Sequence, residues 1–152
     1  MKKILPLLAI LLLPNICFPD DSSINRFLIT QAVSKNIYDH LMKDYLIKFK
    51  YVAMLKACNE NDLASELEPS YENIMHYLTE HMLDIENGKG DQSDFVRSLS
   101  NSELHILLNS IYLQASAYTG GFYDGMKLFF KSKPNFCKEA VKDCDKLFNI
   151  KK

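Results

Sequence analysis

The sequence predicts an all-α protein: a small antiparallel bundle of four main helices, tied by a disulfide and following a cleaved signal peptide. Three observations carry this reading. Apolar residues recur in steps of three and four along most of the chain, the spacing of a helix face. The first 17 residues have the build of an export signal. The chain holds four cysteines, which suits an oxidising compartment.

The signal comes first. Met1-Lys2-Lys3 is a basic start, Ile4 to Leu13 is an apolar run interrupted by Pro6, and Asp20-Asp21-Ser22-Ser23 is a polar exit. The expected cut follows Cys17; the alternative is a lipoprotein in which Cys17 carries the lipid. The apolar stretch is shorter than the ~20 residues a spanning helix needs, which disfavours an uncleaved anchor. Residues 18–152 then form one helical domain of 135 residues, large enough for its own core.

The first main helix is expected from the cap at 20–23 to about Cys58. Its stripe is Ile24, Phe27, Leu28, Tyr38, Leu41, Tyr45, Phe49 and Val52, with a break near Ser34-Lys35-Asn36. The second runs from about Leu63 to Ile85 behind the turn Asn59-Glu60-Asn61-Asp62. Pro69 forces a kink or a fresh start in it, capped by Ser70. Its buried stripe is Ile74, Tyr77, Leu78, Met82 and Ile85. Asn87-Gly88-Lys89-Gly90-Asp91 is a loop, and a short helical turn follows near Asp94–Leu99. The third main helix opens at Asn101-Ser102 and ends at Lys133-Pro134-Asn135, with the stripe Leu104, Leu108, Ile111, Ala115, Tyr118, Phe122, Gly125 or Met126, and Phe129. Its uncharged segment Ile106–Tyr123 contains Asn109, Gln114 and Thr119, which marks a core helix and not a membrane span. A last helix carries Cys137, Ala140, Val141, Cys144, Leu147 and Phe148.

Without Cys17 the cysteines are Cys58, Cys137 and Cys144. Cys137 and Cys144 lie seven apart, about 10.5 Å along one helix, too far to bond each other. Either one is placed to bond Cys58; the other is left buried or paired between molecules.

Charge is weak overall and segregated. The net charge is −1 for the full chain and −3 after residue 17, with 16 basic and 19 acidic residues, because Lys2 and Lys3 leave and no acid does. That balance argues against nucleic-acid binding. Asn59 to Gly88 holds no Lys or Arg but eight acids, whereas Lys127 to Lys152 holds eight lysines. One reading is two helix faces that attract each other within the fold. The other is an acidic partner surface that includes Glu66, Glu68, Glu72 and Glu80.

No catalytic or metal motif emerges. His76 and His81 are five apart and point apart around a helix, whereas zinc-protease motifs need i, i+4. There is no Gly-x-Ser-x-Gly and no phosphate-cradling loop. The expectation is therefore a non-enzyme without metal or cofactor.

The stretch Ala117-Tyr-Thr-Gly-Gly-Phe-Tyr-Asp-Gly-Met126 is the most unusual in the chain. Each glycine inside a helix costs about 1 kcal/mol against alanine, so three of them need a reason. Ala117, Gly121 and Gly125 are four apart and make a stripe without side chains. Either a neighbouring helix packs closely there, or the stripe is a partner groove rimmed by Tyr118, Phe122, Tyr123 and Met126.

Tyr118-x-x-Gly121-x-x-Asp124-Gly125-Met126, followed by Phe136-Cys137, resembles the small periplasmic immunity proteins paired with type VI secretion amidase effectors. The resemblance is confined to this part of the chain. It implies a compact helical inhibitor with disulfides that blocks a toxin by binding it, often as a homodimer, and assigns the glycines and Cys137 to the fold. The expected function is thus a secreted or periplasmic protein-binding protein, of the immunity type, directed against a toxin or cell-wall hydrolase. The alternatives are a periplasmic chaperone or envelope-assembly accessory, and a small hydrolase.

Overall fold

The structure is a computed structural model, which describes residues 21–133 and 135–149. The expected signal peptide, residues 1–17, lies outside the described residues, as do Cys17 and Pro134.

The described residues form six helices and no strand. They are α1 (Asp21–Ala57), α2 (Asn61–Leu67), α3 (Tyr71–Glu86), α4 (Asp91–Ser98), α5 (Asn101–Ser132) and α6 (Asn135–Phe148). The expected break in the first helix does not occur: α1 runs unbroken for 37 residues. Val33 and Ile37, on either side of Ser34-Lys35-Asn36, are fully buried and hold the backbone in register. Lys35 pairs with Asp39 one turn on, and the Asn36 side chain donates to Gln92 of α4. The first two turns depart from expectation in the other direction, since Ile24, Phe27 and Leu28 are exposed.

Pro69 produces the fresh start and not a kink. It has no N–H to continue α2, and the Ser70 side chain accepts from the Asn73 amide at 3.1 Å to open α3. The 87–90 loop depends on Gly90, whose φ of +98° disfavours any side chain. Ser93 and Arg97 of α4 both donate to the carbonyls of Glu86 and Gly88, which folds the loop onto the helix it precedes. The start of α5 is a full capping box between Ser100 and Glu103, one residue before the expected Asn101-Ser102 opening.

The helices build two cores, not one four-helix bundle. The larger joins Val33, Ile37 and Leu41 of α1, Ile74, Leu78 and Met82 of α3, Phe95 and Val96 of α4, and Leu108, Ile111 and Ala115 of α5. The smaller joins Val52 and Leu55 at the end of α1, Leu63, Ala64 and Leu67 of α2, and Cys144 of α6. Helix α3 runs against α1, with Tyr77 bonded to Asp44 and, beyond its start, Glu68 bonded to Lys56. In contrast α1 and α5, the most extensively packed pair, run parallel. Arg26 meets Glu103 near their starts at 3.1 Å, and Val52 and Thr119 share one cleft further along. The helices α2, α3 and α4 provide the return that a parallel pair requires.

Cys58 and Cys137 stand at disulfide distance, with an S–S separation of 2.16 Å and Cα atoms 5.5 Å apart. Cys144, seven residues on along α6, is fully buried in the smaller core as a free thiol. Of the two partners open to Cys58, the fold therefore uses Cys137. No described helix is long and apolar enough to cross a membrane.

Candidate functional site

The two cores meet at an open cleft of about 480 Å³. Its floor is apolar: Phe49, Val52 and Ile74 come from α1 and α3, and Ala115 from α5. Its rim is polar, with Lys56, Glu68, Asn59, Thr119 and Tyr123. Local chemistry sets each wall. Asn59 adopts a left-handed backbone (φ +62°), which asparagine tolerates and which ends α1 beside Cys58. Pro69 stops α2 and turns the chain across the mouth. Gly120 lines the α5 side, and a Cβ added there would meet nothing within 4 Å. Across the rim the Lys56 ammonium donates to both Glu68 carboxylate oxygens, at 2.8 and 2.7 Å. These two side chains are partly exposed, so the pair opens at little cost when a charged group of a partner competes for either end.

This cleft brings together residues from separate parts of the sequence reading: Glu68 of the acidic segment, Tyr123 of the aromatic set, and the turn beside Cys58. The other acids divide. Glu66 and Glu80 join Glu68 around a shallower depression that also holds Lys48 and His76, while Glu72 is exposed away from it. The attraction expected between the acidic segment and the C-terminal lysines takes no direct form. Among the described residues no ion pair links them, and Glu68 is held by Lys56 of α1.

The glycine stripe is the main correction. Ala117 is exposed, and a Cβ added at Gly121 or Gly125 would meet nothing within 4 Å, so among the described residues no helix packs closely on the stripe. The physical reason is helix phase. Core contacts of α5 run through Ile111 and Ala115, and the stripe lies well around the helix from them. The expected rim does not form one groove either. Tyr118 and Phe122 stack on each other with centroids 6.4 Å apart, Met126 is half-buried, and Tyr123 turns to the cleft.

One cluster escaped the sequence reading. His40 of α1 and His81 of α3 stack face to face, with centroids 3.7 Å apart and planes 3° from parallel, and Tyr77 lies against His40. Burial lowers the His81 pKa, the neighbouring His40 lowers it further, and Asp84 opposes both. The Nε2 atom of His81 is buried without a hydrogen-bond partner. Nothing in the spacing of four scattered histidines signals this; His40 and His81 meet only because α3 folds back along α1. Tyr77 itself is held neutral, its pKa pushed well up by burial and by its bond to Asp44. Among the described residues no three His, Cys, Asp or Glu side chains converge as metal ligands.

No protein-family profile, curated protein or solved structure matches this chain.

Proposed function

We propose that this chain is a non-enzymatic secreted or periplasmic protein whose cleft receives part of another protein, as an immunity-type inhibitor of a toxin or cell-wall hydrolase. The observation that carries the reading is the cleft itself: an apolar floor under a rim that offers a cation, a carboxylate and a tyrosine, all in one opening. That combination suits an inserted loop whose apolar side chain fills the floor while polar groups fix its direction. The Cys58–Cys137 pair supports an oxidising compartment and fixes the turn that forms one end of the rim.

Gly120→Trp tests the proposal, because Gly120 lines the cleft and its Cβ position is open. The reading expects one partner from periplasmic extract that binds the native chain tightly, is lost on Gly120→Trp, and has a peptidoglycan-cleaving activity that the native chain blocks at one-to-one stoichiometry. Failure to retain any partner, or retention unchanged by Gly120→Trp, sinks it.

The second reading is an envelope chaperone. Its support is the large apolar residues left exposed on α1 and α5, among them Phe27, Leu28, Leu113 and Leu128. It expects many weak clients and strong binding of an apolar dye, both indifferent to Gly120→Trp.

A further inference from the structure

The parallel helices α1 and α5 leave a groove between them that α4 floors, on the side of α5 away from the cleft. Ser110 and Gln114 border this groove and Ser116 and Thr119 the cleft, about 170° apart around the helix. The groove holds about 590 Å³, more than the cleft. Phe95 and Leu107 are buried beneath it, and Tyr38, Leu99 and the exposed Ile106 line it. From Arg26 to Tyr38 it runs about 18 Å along α1, and from Glu103 to Gln114 about 17 Å along α5. That is the length of about five residues of extended chain.

One end is built for an anion. The Arg26 guanidinium lies 5.7 Å from the centre of the Phe95 ring and donates to Glu103 Oε1 at 3.1 Å. Glu103 is itself fixed, because its Oε2 accepts from the Ser100 amide and hydroxyl in the capping box of α5. Ring and cap therefore hold the guanidinium in place before any ligand arrives, and its other N–H groups bond to nothing among the described residues. A planar guanidinium with fixed, unused donors matches a carboxylate. The charges agree. The lining sets Arg26 and Lys35 against Glu103 alone, and both oxygens of Glu103 are engaged. Outside the lining, Lys35 pairs with Asp39, while Asp91 and Asp94 border a neighbouring hollow that Arg26 also reaches, Asp94 being held by Arg97.

The middle of the groove suits a peptide better than an acyl chain. The Thr30 and Ser110 hydroxyls turn back to carbonyls of their own helices. The amides of Gln31 and Gln114 and the hydroxyls of Ser34 and Tyr38 also line the groove, and they bond to no other described residue. Such groups pair with the N–H and C=O of an extended backbone, whereas an acyl chain offers them nothing. An extended chain also points alternate side chains one way, here toward Phe95 and Leu107.

We propose that this groove binds the carboxy-terminal tail of another polypeptide: about five extended, largely apolar residues whose terminal carboxylate bonds to Arg26. The site is separate from the cleft, so the inference goes beyond the inhibitor role and does not depend on it.

The test is fluorescence anisotropy on the native chain, disulfide intact. The probe is a pentapeptide of alternating leucine and glycine, with fluorescein at its amino end and a final leucine with a free carboxylate. It is expected to bind with a dissociation constant below about 1 mM, and its amidated twin at least about fivefold more weakly. Arg26→Gln should abolish that preference, and Arg26→Lys should keep only part of it. Arg26 is half-exposed and Glu103 keeps its bonds to Ser100, so the helical circular-dichroism signal should not change. Gln114→Trp, at an exposed position on the groove wall, should weaken both peptides, and Gly120→Trp in the cleft should weaken neither. Absence of binding by the free acid at about 1 mM overturns the proposal. So does a smaller preference for the acid, a preference that survives Arg26→Gln, or binding that responds to Gly120→Trp and not to Gln114→Trp. Dodecanoate that displaces the peptide at an equal or lower concentration overturns it in favour of an acyl-chain site.

Discussion

The two cores share one continuous helix, α1, yet they are held in different ways. In the larger, α1, α3 and α5 interleave many aliphatic side chains, and Ile37, Leu41, Leu78 and Ile111 are sealed from solvent. In the smaller, the last turns of α1 meet a 7-residue and a 14-residue helix, lengths at which an isolated helix is marginal in water. What it lacks in burial it replaces with a covalent link. Cys58 and Cys137 are 79 residues apart, so the bond closes a loop that contains all of α2 to α5. The contrast teaches where a covalent link has most to add: the larger core rests on burial alone, whereas the smaller one combines burial with the Cys58–Cys137 pair.

The largest effect should come from Cys137→Ser. For a 79-residue loop, chain entropy assigns the bond about 4 kcal/mol. Hydrogen exchange should show α2 and α6 losing protection first while α3 and α5 keep theirs. Equal loss everywhere would mean that the two cores unfold as one unit and would end the comparison.

Leu78→Ala is the matching change in the larger core. It should cost about 3 kcal/mol, since Leu78 is fully buried in the larger core. Combined with Cys137→Ser, the two losses in chemical denaturation should add to within about 0.5 kcal/mol if the cores are independent.

Cys144→Ser sharpens the same point at one atom. It places a hydroxyl in the apolar centre of the smaller core and should cost about 2 kcal/mol. The native thiol should also react slowly with alkylating reagents, because burial raises its pKa, with Asp145 and Glu66 adding to the shift. Rapid labelling without denaturant would show that the smaller core opens readily.

The smallest effect is a pH dependence confined to the larger core. The His81 pKa is lowered in the folded state, so the unfolded chain binds the proton more readily. Stability is therefore full above the ordinary histidine value of about 6.5 and is lost as pH falls through the lowered one. Removing the neighbour with His40→Gln should flatten this slope in denaturation midpoints measured from pH 7.5 to about 5. An unchanged slope would assign it to other groups.

Much of the local structure was legible in the sequence. Pro69 and Ser70 mark where α2 stops and α3 begins, because a missing N–H and a hydroxyl acceptor act within a few residues. The 87–90 loop, the long α5 and the last helix follow from glycine, proline and apolar spacing in the same way. The seven-residue interval between Cys137 and Cys144 excluded one pairing by helix rise alone. Where the readings failed, phase and long-range packing decided. Ser34-Lys35-Asn36 looked like a break until Val33 and Ile37 proved to be core residues that keep the helix intact. The glycine stripe looked like a packing seam, but its angle around α5 turns it to solvent.

The sequence by itself determined that this chain is helical, where most helices start and stop, and which cysteines were available to Cys58, because those are properties of backbone spacing and of hydrogen bonds made close in sequence. Only the tertiary structure decided that Cys137 closes the ring, that α1 and α5 run parallel, that His40 stacks on His81, and that Phe49, Glu68 and Tyr123 share one cleft. Each of these joins residues dozens of positions apart, and their meeting depends on how whole helices pack, which no local pattern of residues contains.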